Sequence, residues 1–410
     1  MRTIYKSPTD SLKLEFLDEF RCDLERIGNK VAIKVLDDFI EFDFTPRSFP
    51  TKEKDLRAEM IALYDKIRTA NLADEKDFLV KMEEDGILDQ LADGKDIDIS
   101  KIKPEIRICN TRAEKNIYRY YRQSQKVPNS SGVGRRFSAL VYDIGQTRDV
   151  LMGVIGLAGT AYSIEDRDKF LEWSHIDSKA KIVKHAGLRR IMELSICMAI
   201  PPYNFLYGGK LMAILSLSNP IQAEFQKRYP DDMLLALITT GATGNHAPIF
   251  NRIRLNQITP VDIYNSYNNE MFKHIGATSE STTIMLTDKT IELARRIAEG
   301  SFPKMPNKQT SGFHSGFNKM NAINKILRLC NVSRDVLKLI KKSIYIGYLS
   351  ENNLDLLKVG KQKNAVIALG VDDALGYWKS VWLQKAIADE NRMKQFIQHK
   401  RKQEALSQLL

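Results

Sequence analysis

The chain is poor in the residues that build metal centres and disulfide frameworks. Among 410 residues there are only 4 Cys and 6 His. Cys22, Cys109, Cys197 and Cys330 stand far apart, with no C-x-x-C between them. That spacing suggests neither a zinc site nor a disulfide scaffold, and no metal is expected. Long apolar runs are also missing. Each is cut by Lys, Gly or Asp before the roughly 18 residues a membrane span requires. The opening Met1 to Lys6 has none of the apolar core of a signal peptide. The expectation is a cytoplasmic protein with no membrane partner. No G-x-S-x-G is present and no acidic cluster has motif spacing, so serine-nucleophile and metal-nuclease readings lack support. Internal repeats and low-complexity tracts are absent as well.

What is present is an ordinary globular composition, 43% apolar and 28% charged, in a chain long enough for two or three domains. The charge is uneven. The net +11 conceals a first hundred residues with 16 Lys+Arg against 24 Asp+Glu, leaving 46 against 27 in the remainder. A basic body behind an acidic head suits contact with a polyanion, nucleic acid foremost. It equally suits basic helices that the head itself contacts.

Residues 9–43 have helical periodicity through Leu12, Phe16, Phe20, Leu24 and Ile27, and Thr45 to Thr51 breaks it. Further helices are expected at 53–70 and 75–85, which makes an acidic helical head of residues 1–110. Strand patterns follow at Phe137 to Asp143 and Val150 to Leu157, joined by a hairpin connection. A short helix near Leu188 to Met192 leads to a strand at Ile196 to Ile200. A helical pattern from Leu211 to about Arg228 precedes a second apolar strand, Met233 to Ile238. Residues 111–285 thus read as an α/β core, and 286–410 as a basic helical C-terminal region ending in the basic stretch Arg392 to Lys402.

The centre of that core is the strand, Gly-bearing turn and helix around Gly208, Gly209 and Lys210. Backbone N–H groups at a helix N-terminus, glycines that permit close approach and a movable ammonium together outline a phosphate cradle. Plain turn chemistry gives the same string.

The quoted residues carry two resemblances. The first comprises Pro128-x-Ser130-x-x-Val133–Gly134–Arg135–Arg136, Val141-x-Asp143, Gly153 to Gly156, Arg167–Asp168 and Trp173. It continues through Pro201–Pro202–Tyr203–Asn204-x-Leu206-x-Gly208–Gly209–Lys210–Leu211-x-Ala213 and Phe250–Asn251–Arg252. On these the chain resembles the DruA family of the bacterial Druantia anti-phage defence system, over about 115–265 and more weakly over 312–360. The second is an order of elements similar to that of the GNAT acyltransferase superfamily, in which the turn before the central helix cradles the pyrophosphate of acyl-CoA. It implies an α/β fold with a GNAT-like mixed-sheet core, flanked by the helical head and the helical C-terminal region. The turn departs from that superfamily's R/Q-x-x-G-x-G/A loop, and Phe250 stands near the place where many members have a Tyr acid.

Asp168, His246 and Asn251 are the candidate catalytic residues, each with a structural alternative: an Arg–Asp pair, a polar loop residue and a helix cap. Gly208, Gly209 and Lys210 are the candidate cofactor cradle, with acyl-CoA the cofactor that the second resemblance admits. Arg135, Arg136 and Arg252 are the candidate nucleic-acid contacts. Gly208 and His246 are expected to border one cleft with Asn251 and Arg252 at its rim. A bulky residue at Gly208 is expected to impair function while leaving the fold largely intact, whereas a polar one at Cys197 or Leu235 should unfold it. The function these readings favour is a DruA-like defence component that binds nucleic acid, DNA ahead of RNA, beside other defence-system proteins. A GNAT-like acyltransferase acting on a nucleobase or small amine, and a non-enzymatic scaffold, stay open.

Overall fold

A computed structural model describes residues 8–26, 64–65, 68–69, 71–125, 134–174, 178–241, 247–254, 270–278, 293, 342–359 and 369–409. The chain divides into two compact units. One comprises Met1–Ala70, Val127–Val133 and Glu280–Lys341; the other comprises Asn71–Lys126, Gly134–Ser279 and Lys342–Leu410. In the first unit, helix α1 spans Pro8–Arg26. Its Phe16 and Phe20, one turn apart, are buried and stack with centroids 5.8 Å apart, as i and i+4 side chains on one face do.

The second unit carries the rest of the described elements. After α2 (Lys76–Glu84) come β1 (Pro104–Ile108), α3 (Arg112–Arg122), β2 (Arg136–Asp143) and β3 (Val150–Gly159). Next are α4 (Glu165–Phe170), α5 (Ser178–Arg189), β4 (Ile191–Ala199), α6 (Gly208–Leu215), α7 (Asn219–Arg228) and β5 (Ala236–Thr240). The remainder are β6 (Phe272–Ala277), β7 (Ser343–Gly347), α8 (Glu351–Val359), α9 (Val371–Tyr377), α10 (Gln384–Ile387) and α11 (Glu390–Gln398). A π-helical stretch, Trp378–Leu383, joins α9 to α10. Seven strands form one mixed sheet in the order β1-β2-β3-β4-β5-β7-β6. Every neighbouring pair is antiparallel except β4 and β5, which run parallel over three rungs, Ile191–Glu193 against Ala236–Ile238. Only a crossover can join parallel neighbours, and α6 with α7 provides it.

Local chemistry explains the elements. Pro104 lacks an N–H for the ladder and opens an edge strand. Thr111 and Glu114 form a reciprocal capping box at the start of α3. The β2–β3 turn is organised by Asp143, which is fully buried. Its Oδ1 accepts from the N–H groups of Lys103 (2.8 Å) and Gly145 (3.0 Å), and its Oδ2 from Gln146 Nε2 (2.8 Å) and the Tyr203 hydroxyl (2.9 Å). Burial, with Asp143 beside it, pushes the Tyr203 phenol far above its ordinary value. Two glycines of β3 admit helices on opposite faces. A Cβ at Gly153 would lie 2.2 Å from Met212 Sδ of α6, and one at Gly156 would lie 2.1 Å from the Tyr118 hydroxyl of α3.

The sheet is covered on both sides, with Met192 and Leu194 of β4 in the core with α6, and Ile196 and Ile200 packed with Tyr120 and Tyr121 of α3. Cys197 borders the main core half-buried, and burial raises its thiol pKa far above the ordinary range. The C-terminal segment binds back onto the last turn of α2 and the residues between α2 and β1. Gly94 N donates to His399 O (3.0 Å), Arg401 N to Asp93 Oδ1 (3.0 Å), and Ser407 N to Glu83 Oε1 (3.0 Å). The Leu406 N–H reaches the Tyr120 hydroxyl at 3.1 Å.

Several expectations need correction. The helix near Leu188 to Met192 is the end of α5, and β4 already begins at Ile191. The helical pattern Leu211 to Arg228 is two helices. They part at Ser216 to Ser218, where the Ser216 and Ser218 hydroxyls bond back to the Ala213 and Leu215 carbonyls, and Pro220 starts α7. Phe250 to Arg252 form a turn, and β1, β6 and β7 are strands that the sequence pattern did not show. Of the helical region expected over 286–410, residues 286–292, 294–341, 360–368 and 410 lie outside the described residues, as do Cys330 and His246.

Candidate functional site

Beyond the end of β4 the chain makes a cis Pro201–Pro202 bond and one 3₁₀ turn, Tyr203–Leu206. It then enters α6 through Tyr207, which adopts the left-handed conformation with φ 56°, an uncommon state for a bulky residue. Gly208 is required because the chain doubles back on itself: a Cβ there would sit 2.6 Å from the Tyr203 carbonyl oxygen and 2.9 Å from Ala199 Cβ. Gly209 is less confined, with Ile249 Cδ1 3.0 Å from the same construction. The turn is thus a close-packed one, and the open side of it is at Gly209.

Lys210 is 6% exposed, and its ammonium donates to the Asn251 carbonyl. It also lies 4.4 Å from the centroid of Trp382, a cation–π contact. Burial first, and then repulsion from Arg252 and Lys385, lowers its pKa to about 8, with Glu270 opposing them. Arg252 is exposed and, with φ 63°, is a second non-glycine residue in the left-handed region. Tyr377 holds this turn, its hydroxyl accepting from Arg254 N at 3.0 Å. Phe250 points into the core, with centroids 5.0 Å from Phe272 and 5.7 Å from Tyr345.

The C-terminal helices bring the remaining groups. Trp378 Nε1 donates to the Tyr207 carbonyl at 3.1 Å, and the Trp382 ring meets Tyr207 at 5.7 Å. Lys385 Nζ lies 4.7 Å from the Trp382 centroid, and the Arg392 guanidinium 3.9 Å from that of Tyr207. Arg392 is anchored by Asp389 (3.4 Å) and by the Phe205 carbonyl (3.3 Å). Trp382, Lys385 and Arg392 were not singled out from the sequence as site residues. One signal was there: two of the 3 Trp stand four residues apart.

The other candidates sit elsewhere. Asp168 is buried, its Oδ1 accepting from Arg167 Nε (2.9 Å) and Nη2 (2.7 Å), its Oδ2 from Lys184 Nζ (2.7 Å). Arg167, wholly buried, also donates to Thr160 Oγ1, Ala161 O and Tyr162 O, tying down the loop after β3. Trp173 locks the same region to α8 through Nε1 to Leu357 O (2.9 Å). Arg135 donates to the carbonyls of Arg189 (2.6 Å) and Leu188 (2.7 Å), satisfying the end of α5, and stacks 5.0 Å from the Tyr229 centroid. Arg136 is exposed on β2. Lys210, Asn251 and Arg252 therefore gather past the end of β4. Arg135 reaches the carbonyl of Ile191 at its beginning, and Glu193 acts through space on Arg167. A nine-residue strand separates the two groups by roughly 25 Å. Among the described residues no three His, Cys, Asp or Glu are grouped to hold a metal ion, and no helix is long and apolar enough to cross a membrane.

These features define a mixed α/β protein with cations and aromatic rings massed behind one strand of its sheet. A family model described as Druantia protein DruA matches residues 54–359. The Druantia protein DruA of Escherichia coli (strain UMEA 4076-1) is 25% identical over 291 residues, which cover 66% of this chain and 65% of that protein. The chain thus spans just under two thirds of that relative's length. No solved structure matches it significantly. The chain belongs to the DruA family.

Proposed function

We propose that this chain is a cytoplasmic component of a Druantia anti-phage defence system that binds nucleic acid, DNA ahead of RNA, and works beside other proteins of that system. Its family membership supports the defence role. The observation that carries nucleic-acid binding is the charge: 46 basic against 27 acidic residues after residue 100. Such an excess concentrates polyanions and steers their approach. The aromatic rings interleaved with cations at Tyr207 and Trp382 are of the kind that serve single strands. The test is fluorescence anisotropy with short single- and double-stranded DNA and RNA over a salt series. Affinity that falls steeply as salt rises is the expected result, with a log–log slope of about −0.9 per phosphate contact on duplex and about −0.7 on single strands. No binding at low salt would remove the reading.

A second reading, a GNAT-like acyltransferase acting on a nucleobase or small amine, has one specific observation in its favour. The parallel pair among the described strands, β4 and β5, is joined by a crossover whose first helix opens at Gly208 and Gly209. A helix N-terminus in that position suits a pyrophosphate. CoA or acyl-CoA must then raise the melting temperature, since a ligand of the folded state stabilises it by mass action. Melting curves indifferent to both compounds would leave the sheet without that cofactor.

A further inference from the structure

We propose that Lys210, Arg252 and Lys385, with the Trp382 indole N–H among them, hold one phosphate group of a nucleic-acid strand at the start of α6. This deepens the nucleic-acid reading above and rests on it.

The first observation is an imbalance of charge. Elsewhere among the described residues, several basic side chains near the sheet have carboxylate partners: Arg107 with Glu105 and Asp149, Arg119 with Glu75, Arg228 with Glu224, Lys358 with Glu172. Arg252 and Lys385 both act on Lys210 electrostatically, and no carboxylate among the described residues forms an ion pair with any of the three. Glu270 opposes them only from a distance. Three cations brought together in this way repel, so the arrangement is stabilised when an anion joins it.

The second observation is independent of charge. The Trp382 Nε1 is buried with no hydrogen-bond acceptor among the described residues, in a side chain only 6% exposed. A buried indole N–H ordinarily has a partner, and leaving one unmade is costly. This indole lies against Lys210, Lys385 and Tyr207, and it belongs to a π-helical stretch, a form that recurs at functional sites. An anionic oxygen would supply the missing acceptor. The first N–H groups of α6 add the positive end of a helix. Trp382 and Lys385 both lie beyond residue 359, where the family match ends, so the C-terminal segment completes the site. Arg392, paired with Asp389 and stacked on Tyr207, positions the ring without a free charge of its own.

The experiment compares four proteins in the full chain: wild type, the double variant Arg252→Gln/Lys385→Gln, a control with Lys227→Gln/Lys402→Gln, and Trp382→Phe for the fluorescence arm. The residues of both double variants are exposed, so folding is spared in them. Each is titrated with a labelled single-stranded oligonucleotide over a salt series, and separately with inorganic pyrophosphate while Trp fluorescence is followed. The site variant should lose roughly tenfold in oligonucleotide affinity, with its salt slope shallower by about one or more, while the control moves far less. Pyrophosphate should change the fluorescence of wild type, and that response should vanish in Trp382→Phe. Wild-type binding with an unaltered affinity and slope in the site variant would overturn the site and leave the nucleic-acid reading standing. Pyrophosphate binding without oligonucleotide binding would overturn the strand as the ligand. Binding of neither would overturn site and reading together.

Discussion

The two ends of strand β4 hold cations in opposite circumstances. At its beginning, Arg167 and Lys184 share Asp168, and Arg135 fills the carbonyls that end α5. Past its end, Lys210 gives one hydrogen bond to a carbonyl, while Arg252 and Lys385 face it, and no carboxylate among the described residues is paired to any of the three. Both regions bury charge, and burial lowers the pKa of Arg167 as it does that of Lys210. The difference is the partner. A charge whose bonds are complete inside the chain serves the fold, and a group of charges whose bonds are incomplete is suited to a ligand.

The largest expected effect is at the satisfied end. Asp168→Asn leaves Arg167 and Lys184 without their counter-charge in the interior, a loss of about 3–5 kcal/mol, which urea denaturation would register as a marked fall in midpoint. A variant as stable as wild type would show that this triad does not hold the loop.

Next comes the turn between the regions. A bulky residue at Gly208 was expected to spare the fold, but a Cβ there meets the Tyr203 carbonyl oxygen at 2.6 Å. Gly208→Val should therefore destabilise by about 1–3 kcal/mol, and Gly209→Ala, facing only Ile249 at 3.0 Å, by clearly less. Equal melting temperatures for the two variants would contradict the packing described for this turn.

A smaller effect concerns the C-terminal segment that supplies Trp382 and Lys385. The Arg401 N–H and then Lys400 hold the Asp93 carboxyl below its ordinary value, against a desolvation penalty. A depressed carboxyl stabilises above the unfolded value near 3.8 and ceases to do so as pH falls through the folded one. Hydrogen exchange at Gly94 and Arg401 should accelerate on acidification below about pH 4, and Asp93→Asn should remove that pH dependence. An acid response identical in the two proteins would assign it to other carboxylates.

Much of the sheet could be read from the chain. Strands β2 and β3 announce themselves by apolar runs around a turn, and the helix after Gly208 and Gly209 by its glycines. The DruA resemblance, carried on those motifs, holds for the family as a whole. What escaped was non-local. Strands β6 and β7 are short, one half-buried and one wholly buried, so neither alternates in a way that separates a strand from a helical turn. The site was half visible for the same reason. Gly208, Gly209 and Lys210 are contiguous, and Asn251 and Arg252 were marked by their motif. Trp382 and Lys385 lie more than a hundred residues away and join only because α9 and its continuation pack on Tyr207 and α6. Tyr203 and Asp143 appear in the family pattern as separate motifs, and the fold gives both one purpose, the hydrogen bond between them.

The contrast between the two ends of β4 is tested most directly by Lys210→Met, measured at once for urea stability and for salt-dependent oligonucleotide affinity. Methionine keeps the stem against Trp382 and removes the charge. The wild-type lysine, held at about 8 against an ordinary 10.5, binds its proton less readily folded than unfolded. Its stability contribution therefore rises with pH between those values, and the methionine variant should lack that rise. At neutral pH the variant should keep its unfolding free energy to within about 1 kcal/mol while oligonucleotide affinity falls roughly tenfold. A midpoint that drops as far as that of Asp168→Asn, with affinity unchanged, would contradict that contrast.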